Sequence, residues 1–412
     1  MPLCNKKNHL LSWLVFLPTF IIISFTLILG MFPALIIAFS DKVRFSIGAD
    51  VWEPGLWMFP ILFSNIIVFT IIILHQKNKL PYMLTRLFEF ILNFEISNRR
   101  ALLLIGVMIG AYVILTVGEL SIEEPWGDYR NVETTLQNWS FDKWEFLGTP
   151  MVYFFGHLSM DIFGSNRVIP FIASITCLFL TYLVTVQISK KRFAGIIALA
   201  IVLQSGNFAT YDTAFTYTIF WIMFYLLSMY FIFKSWSLSS VSFIPAVLSK
   251  TLSMGFLPIT ILFIAMLNLP KRKKILLLSS YFAVIVLGLV FIQITPIGNF
   301  ISFDISSFDV PKMVGGFASI VSHFRYDGII VMFLLPLVVG LFLTSKKGIP
   351  NANAVLILIS GVILLLVFVP ILTTNDNTPY RVLPLVFFFA IGIGTLLSKN
   401  FNLQSELLSR RM

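Results

Sequence analysis

Ala101-Leu-Leu-Leu-Ile-Gly-Val-Met-Ile-Gly-Ala-Tyr-Val-Ile-Leu-Thr-Val-Gly118 carries no charge, and Glu119-Leu-Ser-Ile-Glu123-Glu124-Pro-Trp-Gly-Asp128-Tyr-Arg130 follows it directly. The first stretch is near the roughly 20 apolar residues a helix needs to cross about 30 Å of hydrocarbon. The second gathers carboxylates where that helix leaves the membrane. Similar apolar runs recur along the chain, separated by short polar punctuation, without the alternation of an outer-membrane barrel. With 58% hydrophobic and 12% charged residues, the composition excludes a water-soluble globule and describes an all-α, multi-pass membrane protein. Cys4 and Cys177 are the two cysteines. One lies near the N-terminus and one inside an apolar run, so they predict no disulfide. The first run, from Leu10 to Ser40, is longer than a signal-peptide core and reads as retained.

Lys and Arg outnumber Asp and Glu by ten, and their distribution explains the excess. Clusters at Lys6-Lys7, Lys77 to Arg100, Lys190 to Arg192, Lys234, Lys271 to Lys274, Lys346-Lys347 and Lys399 to Arg411 fall between apolar runs that alternate consistently if every cluster is cytosolic. The charge therefore predicts orientation and anionic headgroups rather than nucleic acid. About twelve spans result, near 11–39, 56–75, 101–118, 167–188, 193–207, 214–234, 239–250, 252–269, 275–293, 327–345, 353–372 and 381–398. Both termini are then cytosolic, in a plasma (inner) membrane or endoplasmic reticulum membrane. Residues 1–95 form two additional N-terminal helices with a cytosolic linker, and 96–412 the main transmembrane domain. The exterior segments are 41–55, 119–166, 208–213, a turn at Lys250, 294–326 and 373–380. Within 119–166, the apolar and aromatic stretch Pro150 to Phe163 is too short to span and reads as an interfacial helix.

Lys250 sits near the middle of the apolar run Val241 to Leu269, where a charge on a lone helix would cost at least about 2.5 kcal/mol. The run must go out and return with Lys250 at the turn. Each arm is then ~22 Å long, short of the hydrocarbon thickness. The ammonium faces a recessed, wetted vestibule or snorkels to a headgroup. Arg381 and Arg167 each begin a helix at the exterior, where an arginine opposes the helix dipole; phosphate binding or snorkelling explains them, with Asp376 a candidate ion-pair partner for Arg381. Asp212, Tyr380 and the His323-Phe-Arg325 segment are further exterior candidates for substrate contact. No Gly-rich phosphate loop of the P-loop type occurs, and no metal-ligand spacing surrounds His157.

In order, these residues resemble the GT-C superfamily of polytopic glycosyltransferases, in the branch of protein O-mannosyltransferases and lipid A aminoarabinose transferases, over about residues 100 to 400. Glu123-Glu124 resembles the family's exterior acidic pair, and Leu136 twelve residues on stands at the spacing of its small amphipathic helix. Gly148-Thr-Pro150, Ile162-Phe-Gly164 and Arg167-Val-Ile-Pro170 resemble its Lys-Pro-Pro, Leu-Phe-Gly and Arg-Leu-Pro elements. Leu248-Ser-Lys250 with Pro258 resembles its Thr-Lys-Gly segment, and Tyr380-Arg381-Val-Leu-Pro384 the opening of a late helix. The chain departs at Thr216 and Thr218, which stand where the family has Arg-x-Asp, and at Gly148-Thr149, where it has the lysine.

The resemblance implies transfer of a sugar from a polyprenyl (dolichyl or undecaprenyl) monophosphate to an acceptor hydroxyl on the exterior face, with inversion. Such chemistry needs a base for the acceptor proton and cations for the departing phosphate. Glu124, or else Glu123, is the expected base, since neighbouring carboxylates in a partly dry loop raise one another's pKa. Asp128 supports it or shares a divalent cation, Mg or Mn, and no other cofactor is called for. Lys250 and Arg381 bind the donor phosphate, and Asp212, Tyr380, Arg167, His323 and Arg325 are candidate substrate contacts. The expected partners are the polyprenyl-linked sugar, an acceptor protein, lipid or glycan, and membrane lipids. A non-catalytic polyprenyl-lipid-binding scaffold of the same type, or a lipid or solute transporter, are the alternatives.

Overall fold

A computed structural model of the chain describes residues 3–38, 50–140, 149–294, 316–318, 320–321, 323, 326–346, 349, 351–372 and 379–398. Among the described residues all regular structure is helical. In chain order the helices are α1 (Leu3–Met31), α2 (Ala34–Ala38), α3 (Met58–Gln76), α4 (Tyr82–Asn93), α5 (Asn98–Thr116), α6 (Tyr129–Gln137), α7 (Pro150–Phe163), α8 (Val168–Ser189), α9 (Arg192–Leu203) and α10 (Gly206–Tyr211). They continue with α11 (Phe220–Lys234), α12 (Trp236–Ser249), α13 (Phe256–Met266), α14 (Lys271–Ile294), α15 (Gly328–Lys346), α16 (Ala352–Leu372) and α17 (Leu383–Leu396). Among the described residues five stretches are long and apolar enough to cross a membrane: Leu10–Met31, Met58–Gln76, Asn98–Ser121, Val168–Ser189 and Gly328–Lys346. Leu56, Phe59, Phe63, Ile66 and Ile67 on and before α3, and Val107, Ile114 and Leu115 on α5, are exposed apolar side chains. Lipid, rather than water, is the solvent that suits such surfaces.

The first helix ends earlier than its apolar run, at Met31, because Pro33 cannot continue the hydrogen-bond ladder; the chain restarts as the short α2. α4 lies within the stretch that reads as a cytosolic linker, and α6 within the acidic segment 119–166.

The chain forms two compact units, one of Met1–Glu95, Ile188–Ala194 and Phe303–Met412, the other of Ile96–Gln187 and Gly195–Ser302. In the first, α1 packs on α15 and α16, which pack on each other and on α17. Phe16 stacks on Phe342 at 4.0 Å, and Ser12 donates to Asn353 at 2.9 Å. Glu95 accepts the amides of Arg192 and Phe193. The fully buried Lys191 donates to the carbonyls of Ile91 and Leu92 at 2.9 Å, where the helix dipole of α4 favours a cation.

The second unit contains the acidic loop. Its helices α11 and α12 are joined by Ser235 alone and run antiparallel: Ser239 reaches the Ser228 carbonyl at 3.0 Å, and Tyr225 meets Phe243 at 6.1 Å. At Lys250 the backbone is extended, and the turn Thr251–Gly255 follows. α13 then runs as α11 does, since Phe256 touches Trp221 and the Thr260 hydroxyl meets that of Tyr225 at 2.9 Å. α14 reverses again, with Tyr281 between Ser228 and Ser239 and Lys273 on the Phe233 carbonyl. The chain therefore turns back at Lys250, at the end of the unit where α11 begins. Lys234 and Lys273 lie at the opposite end.

This path makes a labelling prediction. In a background without Cys4, Lys250→Cys reacts with a membrane-impermeant maleimide from the same side as Glu123→Cys, and Lys271→Cys only from the other. Labelling of the Lys250→Cys and Lys271→Cys variants from one and the same side would disprove the reversal.

Candidate functional site

Two loops of the second unit build the candidate site: residues 117–128 after α5, and 212–219 between α10 and α11. Their meeting is organised by buried polar groups that take up each other's main-chain atoms. Arg167, at the start of α8 and 8% exposed, donates through Nε to the Thr213 carbonyl at 3.1 Å. Its terminal nitrogens donate to the carbonyls of Glu119 and Ile122 and to the Thr213 hydroxyl. Glu124 is 5% exposed; Oε1 accepts the Phe215 amide and Oε2 the Thr216 amide, the latter at 3.1 Å. The Phe215 ring then fits against Gly156 of α7, where a Cβ would collide with it and crowd Leu136 of α6. Glycine is required there by close approach.

Asp128 is exposed, and the Tyr217 hydroxyl donates to its two carboxylate oxygens at 2.9 and 3.0 Å. Beside it Trp126 is stacked on Tyr211 at 5.2 Å with 16° between the rings, and Tyr217 stands edge-on to Trp126. A half-exposed indole next to an oriented carboxylate can stack on the apolar face of a sugar ring while the carboxylate accepts from its hydroxyls. Glu123 is exposed. The adjacent glutamates thus differ: one holds the loop, the other faces outward.

Asp212 is 1% exposed and accepts from the Tyr112 hydroxyl at 2.7 Å. Its Oδ1 makes no hydrogen bond among the described residues. Burial pushes its carboxyl up to about 7; the Tyr112 hydrogen bond opposes this and the Glu119 charge adds to it.

Lys250 is half-buried at the same end of this unit, at the reversal described above. Tyr380 and Arg381 belong to the other unit, half-buried in the turn Pro379–Val382; Arg381 Nε makes no hydrogen bond among the described residues. His323 is 3% exposed, also in that unit. Arg325 and Asp376 lie outside the described residues. Among the described residues no three His, Cys, Asp or Glu side chains are grouped as metal ligands.

Comparison of the chain with protein-family models, with curated proteins and with solved structures finds no match in any of the three.

Tyr112 and Tyr217 are the site residues that sequence reading passes over. Tyr112 was readable as the lone phenol of an aliphatic helix, about one turn before its end. Tyr217 carries no such mark.

Two outcomes follow. Gly156→Ala lowers the unfolding temperature by an overpacking penalty of about 1–3 kcal/mol, and Phe215→Ala in the same chain restores part of it, read as non-additivity in a double-mutant cycle. Asp212 keeps its proton in the folded protein at pH values where the unfolded chain has lost it. Its burial therefore destabilises progressively as pH rises from about 4 toward 7, then levels off. Asp212→Asn removes that penalty, so its melting temperature gains on the native protein between pH 5 and pH 8; a gap independent of pH would refute the assignment.

Proposed function

We propose that this protein is a membrane glycosyltransferase of the GT-C type, with about twelve spans and cytosolic termini, that moves a sugar from a polyprenyl monophosphate to an acceptor hydroxyl at the exterior face. The observation that carries this reading is the exposed Asp128, held by Tyr217 beside the Trp126–Tyr211 stack, at the end of the unit where Lys250 turns. A carboxylate and an aromatic surface suit a carbohydrate; a cation beside an apolar helix bundle suits a lipid phosphate.

In this reading the acceptor oxygen attacks the anomeric carbon as its bond to the phosphate oxygen breaks. The acceptor proton passes to Asp128, inversion results, and the polyprenyl phosphate leaves with its negative charge toward Lys250. Glu123 meets sugar hydroxyls. Glu124 and Arg167, occupied by main-chain groups, position the two loops, and the base assignment passes from Glu124 to Asp128 for that reason.

Transfer of labelled sugar from a panel of polyprenyl-monophosphate donors to extracted membrane acceptors tests this. Asp128→Asn is expected to lower transfer by about 10²–10⁴ with donor still bound, and Tyr217→Phe by less. Glu124→Gln is expected to lower the melting temperature along with activity. Undiminished transfer by Asp128→Asn would remove Asp128 as the base. Donor binding without transfer by the native protein would favour a lipid-binding scaffold, and no donor binding a transporter.

A further inference from the structure

α4 is mostly apolar, yet none of its 12 residues is buried. Met83, Leu87 and Phe90 recur at i, i+4 and i+7 and form one stripe, 83%, 50% and 61% exposed. Phe94, 38% exposed, continues the stripe past the helix end. Beside it Arg86, Glu89 and Asn93, with Phe90, Phe94 and Glu95, line an open cleft of about 430 Å³.

The helix is ~18 Å long, too short to cross the hydrocarbon, and its charges at 86 and 89 oppose insertion. Residues 77–81 tie its start to the end of α3, one of the stretches suited to spanning. It therefore lies at the level where that span leaves the hydrocarbon. Its far end is fixed, by Lys191 on the carbonyls of Ile91 and Leu92 and by Glu95 under the amides of Arg192 and Phe193. A helix clamped at its end with an open apolar stripe is presented to a surface. The charge around it selects which one: from Lys77 to Arg100 the sequence has five basic residues against Glu89 and Glu95, and Glu95 already serves two amides.

We propose that α4 lies in the membrane surface, with the Met83–Leu87–Phe90 stripe in the acyl boundary and Arg86, Lys77 and Lys79 holding the phosphates of anionic lipid in that leaflet. The stripe supplies apolar burial and the basic residues supply selectivity for anionic headgroups, whichever reaction the protein performs.

Nitroxide labels on the full chain without Cys4, in nanodiscs of phosphatidylcholine with or without phosphatidylglycerol, test the placement. Labels at Met83→Cys and Phe90→Cys are expected to be open to oxygen and shielded from a water-soluble nickel chelate, and Glu89→Cys the reverse. Stripe labels open to nickel, or shielded from both reagents as under a protein partner or second copy, would overturn it. Native mass spectrometry tests the headgroup half: Lys77→Gln/Lys79→Gln/Arg86→Gln is expected to retain several-fold less phosphatidylglycerol relative to phosphatidylcholine than the native chain. Equal retention would overturn that half.

Discussion

A guanidinium withdrawn from water must find acceptors, and Arg167 finds them in the main chain of two loops far apart in sequence. The carbonyls of Glu119, Ile122 and Thr213, with the Thr213 hydroxyl, close around it. No carboxylate lies within ion-pair distance of it among the described residues. Its charge is solvated chiefly by these dipoles, with the Asp212 carboxyl near enough to interact with it, and it adds to the positive end of α8. Removing one partner of such an arrangement leaves a buried charge uncompensated, which is far more damaging than the net worth of the interaction. The rim of the site inherits its shape from this cation, since both the acidic loop and the turn carrying Tyr217 are held against it.

Glu124 performs the complementary task with the opposite charge. A carboxylate that accepts two amides satisfies donors at 215 and 216 that the chain does not use in helix, and it fixes where Phe215 enters the notch at Gly156. The site thus separates buried ions, which position backbone, from the carboxylates at 123 and 128, which are exposed. Asp212 belongs to neither group. Buried against Tyr112, it is a carboxyl whose protonation sits near neutrality.

The long apolar helices were legible because hydrocarbon thickness sets the length of the apolar run that crosses it. The reversal at Lys250 was legible for a related reason: one lysine in an apolar run admits few placements. The start of α11 was not. Thr213 to Ile219 is uncharged and reads as continuous with the apolar run of α11, whereas its amides at 215 and 216 go to a glutamate some ninety residues earlier. A side chain bonding to backbone leaves a mark at the acceptor and none at the donor. The acidic pair was visible, but its division into an anchor and an exposed neighbour was not, because burial is decided by packing partners at Phe215 and Gly156. α4 was hidden by its own charges, which make Lys77 to Arg100 read as a linker.

The helices α11, α12 and α13, of 15, 14 and 11 residues, are each shorter than an ordinary bilayer core is thick. Leu238, Val241, Ile244 and Leu262 nevertheless present apolar side chains outward from α12 and α13. Acyl chains set against such a wall would have to compress or tilt to match it, a strain that grows with every ångström of extra thickness. Lipid with short or disordered chains relieves it. The short wall that carries Lys250 at its turn would, set in a bilayer, match a thin hydrocarbon core better than a thick one.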